Sequence, residues 1–290
     1  MEPGRYGPFS YKPINRRPKV VWPDGNHIAL WIVPNIETFP LNEPIPGGTG
    51  ITPDVINWAS RDYGARVGIF RIMEVMDRHG IRGTVALNSE VCDDYPEIID
   101  DAMDRNWEFM GHNQSNSRYI HTMEDQLGRQ LVSETLDRIE QSTGIRPKGW
   151  LSSGLQQNWT TLDALIDCGV KYVADFINDD QPYLMNVNSR QICSIPYSTE
   201  INDLPQFLRM NRTSEEFTQM IRHQFDTLYR ESLESGSGRV MAICLHPFVI
   251  GVPHRIQALE DALSYISRHD GVWKTTGTEI IEHYLMGETF

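Results

Sequence analysis

Short apolar runs of strand length alternate with longer amphipathic segments along most of the chain. The strand-like runs include residues 84–87, 171–176 and 240–245, and the segments between them repeat apolar side chains every three or four residues. This alternation predicts βα units and therefore a parallel sheet. We count about seven or eight such units in one α/β domain of 290 residues, with residues 1–26 as an N-terminal extension. That number favours a closed or nearly closed (β/α) barrel over an open sheet.

Local signals predict where some of the helices begin and end. Thr122 with Asp125, and Thr213 with Glu216, have the spacing of capping boxes at helix starts. Gly144 supplies a left-handed stop for the first of these helices. The loop at residues 42–52 is rich in proline and glycine, so we expect a flap over the C-terminal face of the barrel.

Three strand-like segments end in side chains that could perform acid–base chemistry. Glu37 ends the run 27–37, His112 ends the run 107–112, and His246 follows the run 239–245. Either histidine alone could be an ordinary buried or loop-stapling residue. Strands of a parallel barrel bring their C-terminal ends to one face, so the three together predict a single site. Pro247 favours an extended conformation for His246, whose ring can then enter the cavity as a general acid or base.

Composition narrows the class of partner. The formal net charge of −13 argues against nucleic acid or an anionic membrane surface, so we expect a small-molecule substrate. No apolar run is long enough to span a bilayer, and no export signal is recognised at the first residues. The four cysteines are widely spaced and predict neither disulfides nor a thiolate metal site, which fits a cytoplasmic protein.

Four motifs in this order resemble the polysaccharide deacetylase superfamily. They are Asn35-Ile-Glu37, the segment from His112 to Asn116, residues 149–154, and Leu245-His246. The resemblance extends over most of the chain and implies a distorted (β/α) barrel. Within the superfamily, residues 61–68, 149–155, 172–183 and 245–255 are most similar to the branch of cyclic imide hydrolases and deacetylase-like allantoinases. That branch implies ring-opening hydrolysis and a homotetramer.

The chain departs from the pattern of the sugar deacetylases at three points. Asn35 stands where the aspartate base would be, Asn116 replaces the second metal-binding histidine, and residues 150–153 lack the arginine that orients the base. Two arrangements remain open. In one, Glu37, His112 and Asn116 or water hold a divalent metal such as zinc. In the other, which we slightly favour, no cofactor is used, Glu37 is the general base and His246 protonates the leaving nitrogen.

A further set of side chains is expected to hold the substrate through aromatic faces and polar groups: Asn35, Tyr63, Arg66, Asn116, Trp150, Asp179 and Gln181. Structural alternatives remain for several of them. Arg66 could pair with Asp62, and Asp179 could cap the segment that follows it. Another polar segment that follows a strand-like run, residues 200–203, is also a candidate for the site.

The leading hypothesis is a hydrolase that opens a small cyclic amide: an imide, hydantoin or allantoin-like ring. The first alternative is a metal-dependent deacetylase of amino sugars or other N-acyl amides. The second is an inactive barrel that serves as a binding protein, since Asn35 and Asn116 are also what a decayed site would contain. The presence of Glu37, His112 and His246 together favours an active enzyme.

Overall fold

The computed structural model describes residues 4–287 and contains one large curled sheet. Its strands are β1 Ile28–Ile36, β2 Thr84–Leu87, β3 Glu108–Gly111, β4 Gly149–Trp150, β5 Tyr172–Val173, β6 Tyr183–Val187, β7 Arg190–Ser194, β8 Arg239–Leu245 and β9 Val272–Thr275. Their order is β6-β7-β5-β4-β3-β2-β1-β8, with β9 also paired to β1. Within the described sheet all pairs are parallel except β6 with β7. The predicted distorted (β/α) barrel is therefore confirmed.

Helices cover the outside of this sheet. They are α1 Val55–Tyr63, α2 Ile69–Arg78, α3 Val91–Asp94, α4 Pro96–Asp104, α5 Asp125–Thr143, α6 Thr161–Asp167, α7 Asp203–Leu208, α8 Ser214–Ser235, α9 Ile256–Ile266 and α10 Gly277–Gly287. The capping box of Thr213 and Glu216 is formed at the start of α8. The one predicted at Thr122 is wrong, because the Thr122 hydroxyl donates to the carbonyl of Tyr119 in a separate turn. As predicted, Gly144 ends α5 in the left-handed conformation.

Alternation along the strands sorts side chains into two layers. In β1, Ile28, Leu30 and Ile32 face outward and pack in the large core beneath the helices. Ala29, Trp31 and Val33 face the barrel interior, where they form a second core. Because successive side chains of a strand point to opposite faces, Asn35 and Glu37 continue the inner row. The same parity places the residues at the ends of β3 and β8 above the inner core.

The barrel is not closed by a continuous strand ladder. Between β7 and β8 the gap is spanned by residues 195–202, which have only one bridge to β8, from Asn202 to Cys244. Tyr197 within this segment is buried in the barrel interior. The segment leads directly into α7, and it therefore delivers the first residue of that helix to the end of β8.

The junction between α1 and α2 lies against the loop that follows β8. A Cβ atom added to Gly68 would stand 2.0 Å from the carbonyl oxygen of Pro247, and one added to Gly251 would stand 2.5 Å from the Cα of Gly68. Gly64 is similarly close to the backbone of Phe248. Main chain therefore packs on main chain here, at a distance that only glycine allows.

Within residues 4–287, no helix is both long and apolar enough to cross a lipid bilayer.

Candidate active site

Glu37, His112 and His246 lie together at the C-terminal ends of β1, β3 and β8. The Nε2 atom of His112 is 3.3 Å from Oε1 of Glu37, and Nε2 of His246 is 3.8 Å from the same oxygen. Their side chains are only 5%, 4% and 7% exposed for Glu37, His112 and His246. The structure thus brings together the three residues predicted to be catalytic.

The ring of His112 is oriented by the main chain of the neighbouring strand. Its Nδ1 atom lies 2.6 Å from the carbonyl oxygen of Leu151. A carbonyl oxygen can only accept a hydrogen bond, so Nδ1 is the donor in this contact and Nε2 is the atom that faces Glu37. The position of the imidazole is therefore fixed by the main chain.

His246 is held by Asp203, the first residue of α7. One carboxylate oxygen of Asp203 is 2.7 Å from Nδ1 of His246, and the other accepts from the backbone N–H groups of His246 and Ile250 at 2.8 and 3.1 Å. Burial lowers the pKa of His246, but the negative charges of Asp203 and Glu37 outweigh it and the pKa is raised. Burial raises the pKa of Asp203, and the charge of His246 only partly offsets this. This arrangement favours the protonated imidazole that a general acid requires.

Glu37 has the properties of an ionised base. Burial raises its pKa, but the charge of His246 and the hydrogen bond from His112 outweigh this, so the pKa is lowered. Asn116 also donates a short hydrogen bond to Oε1. The other oxygen, Oε2, is buried and has no hydrogen-bond partner. Glu37 therefore keeps one carboxylate oxygen available for a water molecule.

A chain of amide groups fixes the orientation of Asn116. The Oδ1 atom of Asn88 accepts from the backbone N–H of Thr38 at 3.0 Å, so Nδ2 of Asn88 must be its donor. That donor lies 3.2 Å from Oδ1 of Asn116, which also accepts from the hydroxyl of Ser153 at 2.6 Å. The Nδ2 group of Asn116 is consequently the atom that points at Glu37.

This orientation bears on the metal site left open by the sequence. A metal ion would need the Oδ1 atom of Asn116, but that oxygen accepts from two donors, and it is the Nδ2 group of Asn116 that faces Glu37. Within residues 4–287, no three histidine, cysteine or carboxylate side chains are arranged to hold a metal together. The set Glu37, His112 and Asn116 therefore does not fit the three-ligand metal site of the sugar deacetylases.

Asn35 lies in the inner row of β1, two residues before Glu37. Its Nδ2 group lies 3.0 Å from the Tyr197 hydroxyl and 3.3 Å from the carbonyl oxygen of Leu245. Its side chain is thus occupied by contacts that join β1 to β8 and to the segment closing the barrel. These contacts give Asn35 a structural role. Contact between Asn35 and a substrate stays a prediction.

Three predicted substrate ligands lie elsewhere, and we correct that expectation. Trp150 is completely buried among the outer helices, and its Nε1 donates to the hydroxyl of Ser152. Gln181 donates to Ser237 and to the carbonyl of Gly238, just before β8. Asp179 pairs with Arg17 of the N-terminal extension. After β5 the chain returns to the N-terminal end of β8. The site lies at the other end of that strand, which has seven residues and is about 20 Å long.

The two predicted ligands near α1 have different surroundings. Arg66 is 69% exposed at its side chain and pairs with Asp62, which is the structural alternative considered for it. Tyr63 accepts a hydrogen bond of 2.6 Å from Arg71, which also donates to the carbonyl of Gly251. Tyr63 therefore borders the loop that follows His246, and its contact with a substrate stays a prediction.

Sequence reasoning overlooked several residues of the site. Arg61 of α1 lies between the rings of Phe39 and Phe248, with its guanidinium carbon 4.8 and 5.1 Å from their centroids. The Phe248 ring also contacts that of His246 at 5.9 Å between centroids. Asp175, directly beyond the end of β5, is buried and accepts from the N–H of Ser152 at 2.7 Å. Its position after a strand was a usable signal, whereas Arg61 lies on a helix and only its place at the start of the similar stretch 61–68 drew attention to it.

Comparison with known proteins finds similarity to polysaccharide deacetylases. Residues 57–173 match the family model for polysaccharide deacetylase. The chain is 24% identical over 241 residues to a Schizosaccharomyces pombe protein named for polysaccharide deacetylases, covering 76% of this chain and 73% of that protein. It is 22% identical over 255 residues to the peptidoglycan deacetylase of Helicobacter pylori, covering 77% and 85%.

Two solved structures have the same fold over nearly the whole chain. A protein of Pseudomonas aeruginosa PAO1 titled as a polysaccharide deacetylase has a TM-score of 0.85 at 24% identity, covering 95% of this chain and 97% of that one. The Puue allantoinase also has a TM-score of 0.85, at 23% identity, covering 94% and 95%. Residues 57–173 therefore match the polysaccharide deacetylase family, and the whole chain shares its fold with a structure titled as a polysaccharide deacetylase, in agreement with the sequence motifs. These matches support a hydrolase acting on carbon–nitrogen bonds.

Proposed function

We propose that this protein hydrolyses a ring C–N bond of small cyclic amides, namely imides, hydantoins or allantoin-like rings. The observation that carries the proposal is the pairing of Glu37 with His246. Glu37 has a lowered pKa and an unpartnered oxygen, and the imidazole 3.8 Å away has a raised pKa. Two titratable groups whose surroundings drive their pKa values apart supply a base and an acid at the same pH.

The proposed reaction is a single hydrolytic addition across the ring amide. Glu37 takes a proton from water as the water oxygen attacks the ring carbonyl carbon. The tetrahedral intermediate then expels the ring nitrogen, which takes a proton from His246. Proton exchange between the two side chains and solvent restores both, so that the net change is gain of one water by the ring-opened product. Asn116 and His112 hold the carboxylate of Glu37 in position throughout.

Two features favour a small ring over a polysaccharide chain. The side chains of the three central residues are at most 7% exposed, which suits an enclosed substrate. The asparagines at positions 35 and 116 remove the base and one metal ligand on which the sugar deacetylases depend. The fold shared with an allantoinase over 94% of this chain supports the same substrate class.

A ring-opening assay tests this proposal directly. Purified protein would be incubated with a panel of succinimide, hydantoin, dihydrouracil and allantoin, with loss of ultraviolet absorbance as the readout. We expect turnover of at least one ring that is unaffected by dialysis against a metal chelator. Absence of turnover on all rings, with the protein folded, would contradict the proposal.

Deacetylation remains the second candidate because the curated relatives are named as polysaccharide and peptidoglycan deacetylases. That function predicts acetate release from N-acetylated oligosaccharides and one tightly bound divalent metal per chain. Metal analysis and the acetate assay on the same preparation separate the two functions. Acetate release that is lost on chelation and regained with zinc would favour the deacetylase.

A further inference from the structure

Arg61 is a partly buried cation above the site with no carboxylate in contact. Its Nη1 and Nη2 groups donate only to the carbonyl oxygens of Asn57 and Pro46, at 3.0 and 3.4 Å. Within residues 4–287 Arg61 makes no ion pair, and its Nε is buried without a hydrogen-bond partner. A guanidinium buried in this state is costly unless another group pairs with it. The contacts of the chain alone do not provide that group.

The position of Arg61 is fixed by its surroundings. Phe39 and Phe248 cover it, and their rings contact each other edge to face with 6.4 Å between centroids. Asp54 anchors the start of the same helix, accepting from the N–H and hydroxyl of Thr49 at 2.8 Å each. The donor group is thus preorganised, which reduces the ordering that a ligand must provide on binding.

Arg61 lies one aromatic ring away from the general acid, because the Phe248 ring that covers it also contacts the ring of His246, with 5.9 Å between centroids. Burial lowers the pKa of Arg61, and the nearby charges of Glu37 and Asp54 partly offset this. The site therefore holds two unpartnered polar atoms of opposite kind: the Nε–H donor of Arg61 and the Oε2 acceptor of Glu37. Glu37 accounts for water attack at one carbonyl carbon. A second acceptor on the substrate would pair with the Nε–H donor of Arg61.

We propose that Arg61 selects rings with two carbonyl groups flanking the nitrogen, by donating to the carbonyl oxygen that water does not attack. The inference rests on the proposed function and assigns a specificity residue to it. A ring with one carbonyl would leave the Nε–H of Arg61 unpaired. A hydrogen bond to a charged group is typically worth about 1.5–3 kcal/mol, equivalent to roughly 10-fold to 150-fold in affinity.

Binding of two rings of the same size tests the proposal without relying on turnover. Titration calorimetry would compare succinimide, which has two carbonyls, with 2-pyrrolidinone, which has one. We expect the protein to prefer succinimide by about 10-fold or more, and the Arg61→Met variant to lose that preference. Arg61→Lys, which keeps the charge, should retain part of it. Arg78→Met, which removes an exposed ion pair between the end of α2 and Glu260 of α9, is the matched control.

Kinetics give a second readout if a dicarbonyl ring is turned over. Arg61→Met should raise KM for succinimide more than it lowers kcat, because the donor contacts the ring before and after attack. An unchanged preference between the two rings in Arg61→Met would overturn the inference while ring-opening activity stood. The opposite outcome is also possible to recognise. If the protein opens no ring but still prefers succinimide in a way that depends on Arg61, the binding role of Arg61 stands and the proposed function is refuted. Failure of the wild-type protein to bind either ring would overturn the inference.

Discussion

The two ends of the barrel each contain a carboxylate in a polar network, but the networks differ. At the N-terminal end, Glu108 accepts from the hydroxyl of Tyr172 at 2.8 Å, from Thr84 at 3.0 Å, and from the backbone N–H and hydroxyl of Thr278. Both of its oxygens are occupied. At the C-terminal end, Glu37 is surrounded by titratable rings, and one of its oxygens has no partner.

This difference separates a structural carboxylate from one that can react. The donors to Glu108 are hydroxyls and the backbone N–H of Thr278 in the first turn of α10, which do not titrate near neutral pH and which join the strand to the helix. The groups around Glu37 include two imidazoles, and the pKa of one of them, His246, is raised by the charges of Asp203 and Glu37 against the effect of burial. A buried polar atom left without a partner is costly, and its presence at Glu37 is consistent with a place reserved for substrate or water.

The largest effect is expected from removing the charge at the reactive end. Glu37→Gln should lower kcat/KM by about 10²-fold to 10⁴-fold, the usual contribution of a general base. The fold should persist, since the amide can still occupy the same space. Steady-state ring-opening rates and circular dichroism check this, with the exposed Glu97→Gln as the matched control. Full activity in Glu37→Gln would refute the proposed base.

The next largest effect is expected from the partner of the general acid. Asp203 raises the pKa of His246, so Asp203→Asn should lower that pKa. Since the proton-donating form of His246 is lost as pH rises through its pKa, the alkaline limb of the kcat/KM profile should shift to lower pH. The acid limb, assigned to Glu37, should move less. An alkaline limb that stays in place would show that His246 is not the acid observed.

A smaller effect, on stability and not on chemistry, is expected at the opposite end. Glu108→Gln removes the charge from a network with four donors and should cost about 1–3 kcal/mol of unfolding free energy. The rate per folded molecule should stay within about twofold, because Glu108 lies at the start of β3 and the reactive residues lie beyond its end. Urea unfolding and active-site titration would measure the two quantities. A large loss of rate at full stability would contradict the contrast between the two ends.

The smallest effect is expected at Asp179, whose turn lies at the N-terminal end of the barrel, away from the site. Asp179→Asn weakens the partly buried pair with Arg17, so a loss of up to about 1 kcal/mol is expected. KM and kcat should not change measurably. A clear rise in KM would contradict this prediction. It would show that a change at Asp179 affects substrate binding at the opposite end of the barrel.

The central residues of the site could be predicted because they depend on regular geometry. Alternation along β1 fixes the face on which Glu37 lies, and parallel strands bring His112 and His246 to the same end. Arg61 could not be found in this way, because it reaches the site from a helix through contacts with Phe39 and Phe248. Such contacts depend on tertiary packing and leave no periodic signal in the sequence.

The errors in the sequence interpretation have equally definite causes. Trp150 lies in a strand of only two residues, too short for alternation to show which face it occupies, and its ring points outward to the helices. Gln181 follows β5 in sequence, as a site residue would. The chain, however, turns back beneath the barrel before β6 begins, and only the hydrogen bonds to Ser237 and Gly238 reveal the direction of that turn.

The glycine contacts between Gly68, Gly251 and Pro247 limit how this enzyme can diversify. Where Gly68 and Gly251 pack on Pro247, both sides of the contact are polypeptide backbone, so these two positions cannot take a side chain that would reshape the site. A methyl group at Gly68 would displace the Pro247 carbonyl and with it the adjoining imidazole. New substrate ranges must therefore arise from the remaining rim, where residues such as Arg61 contribute side chains.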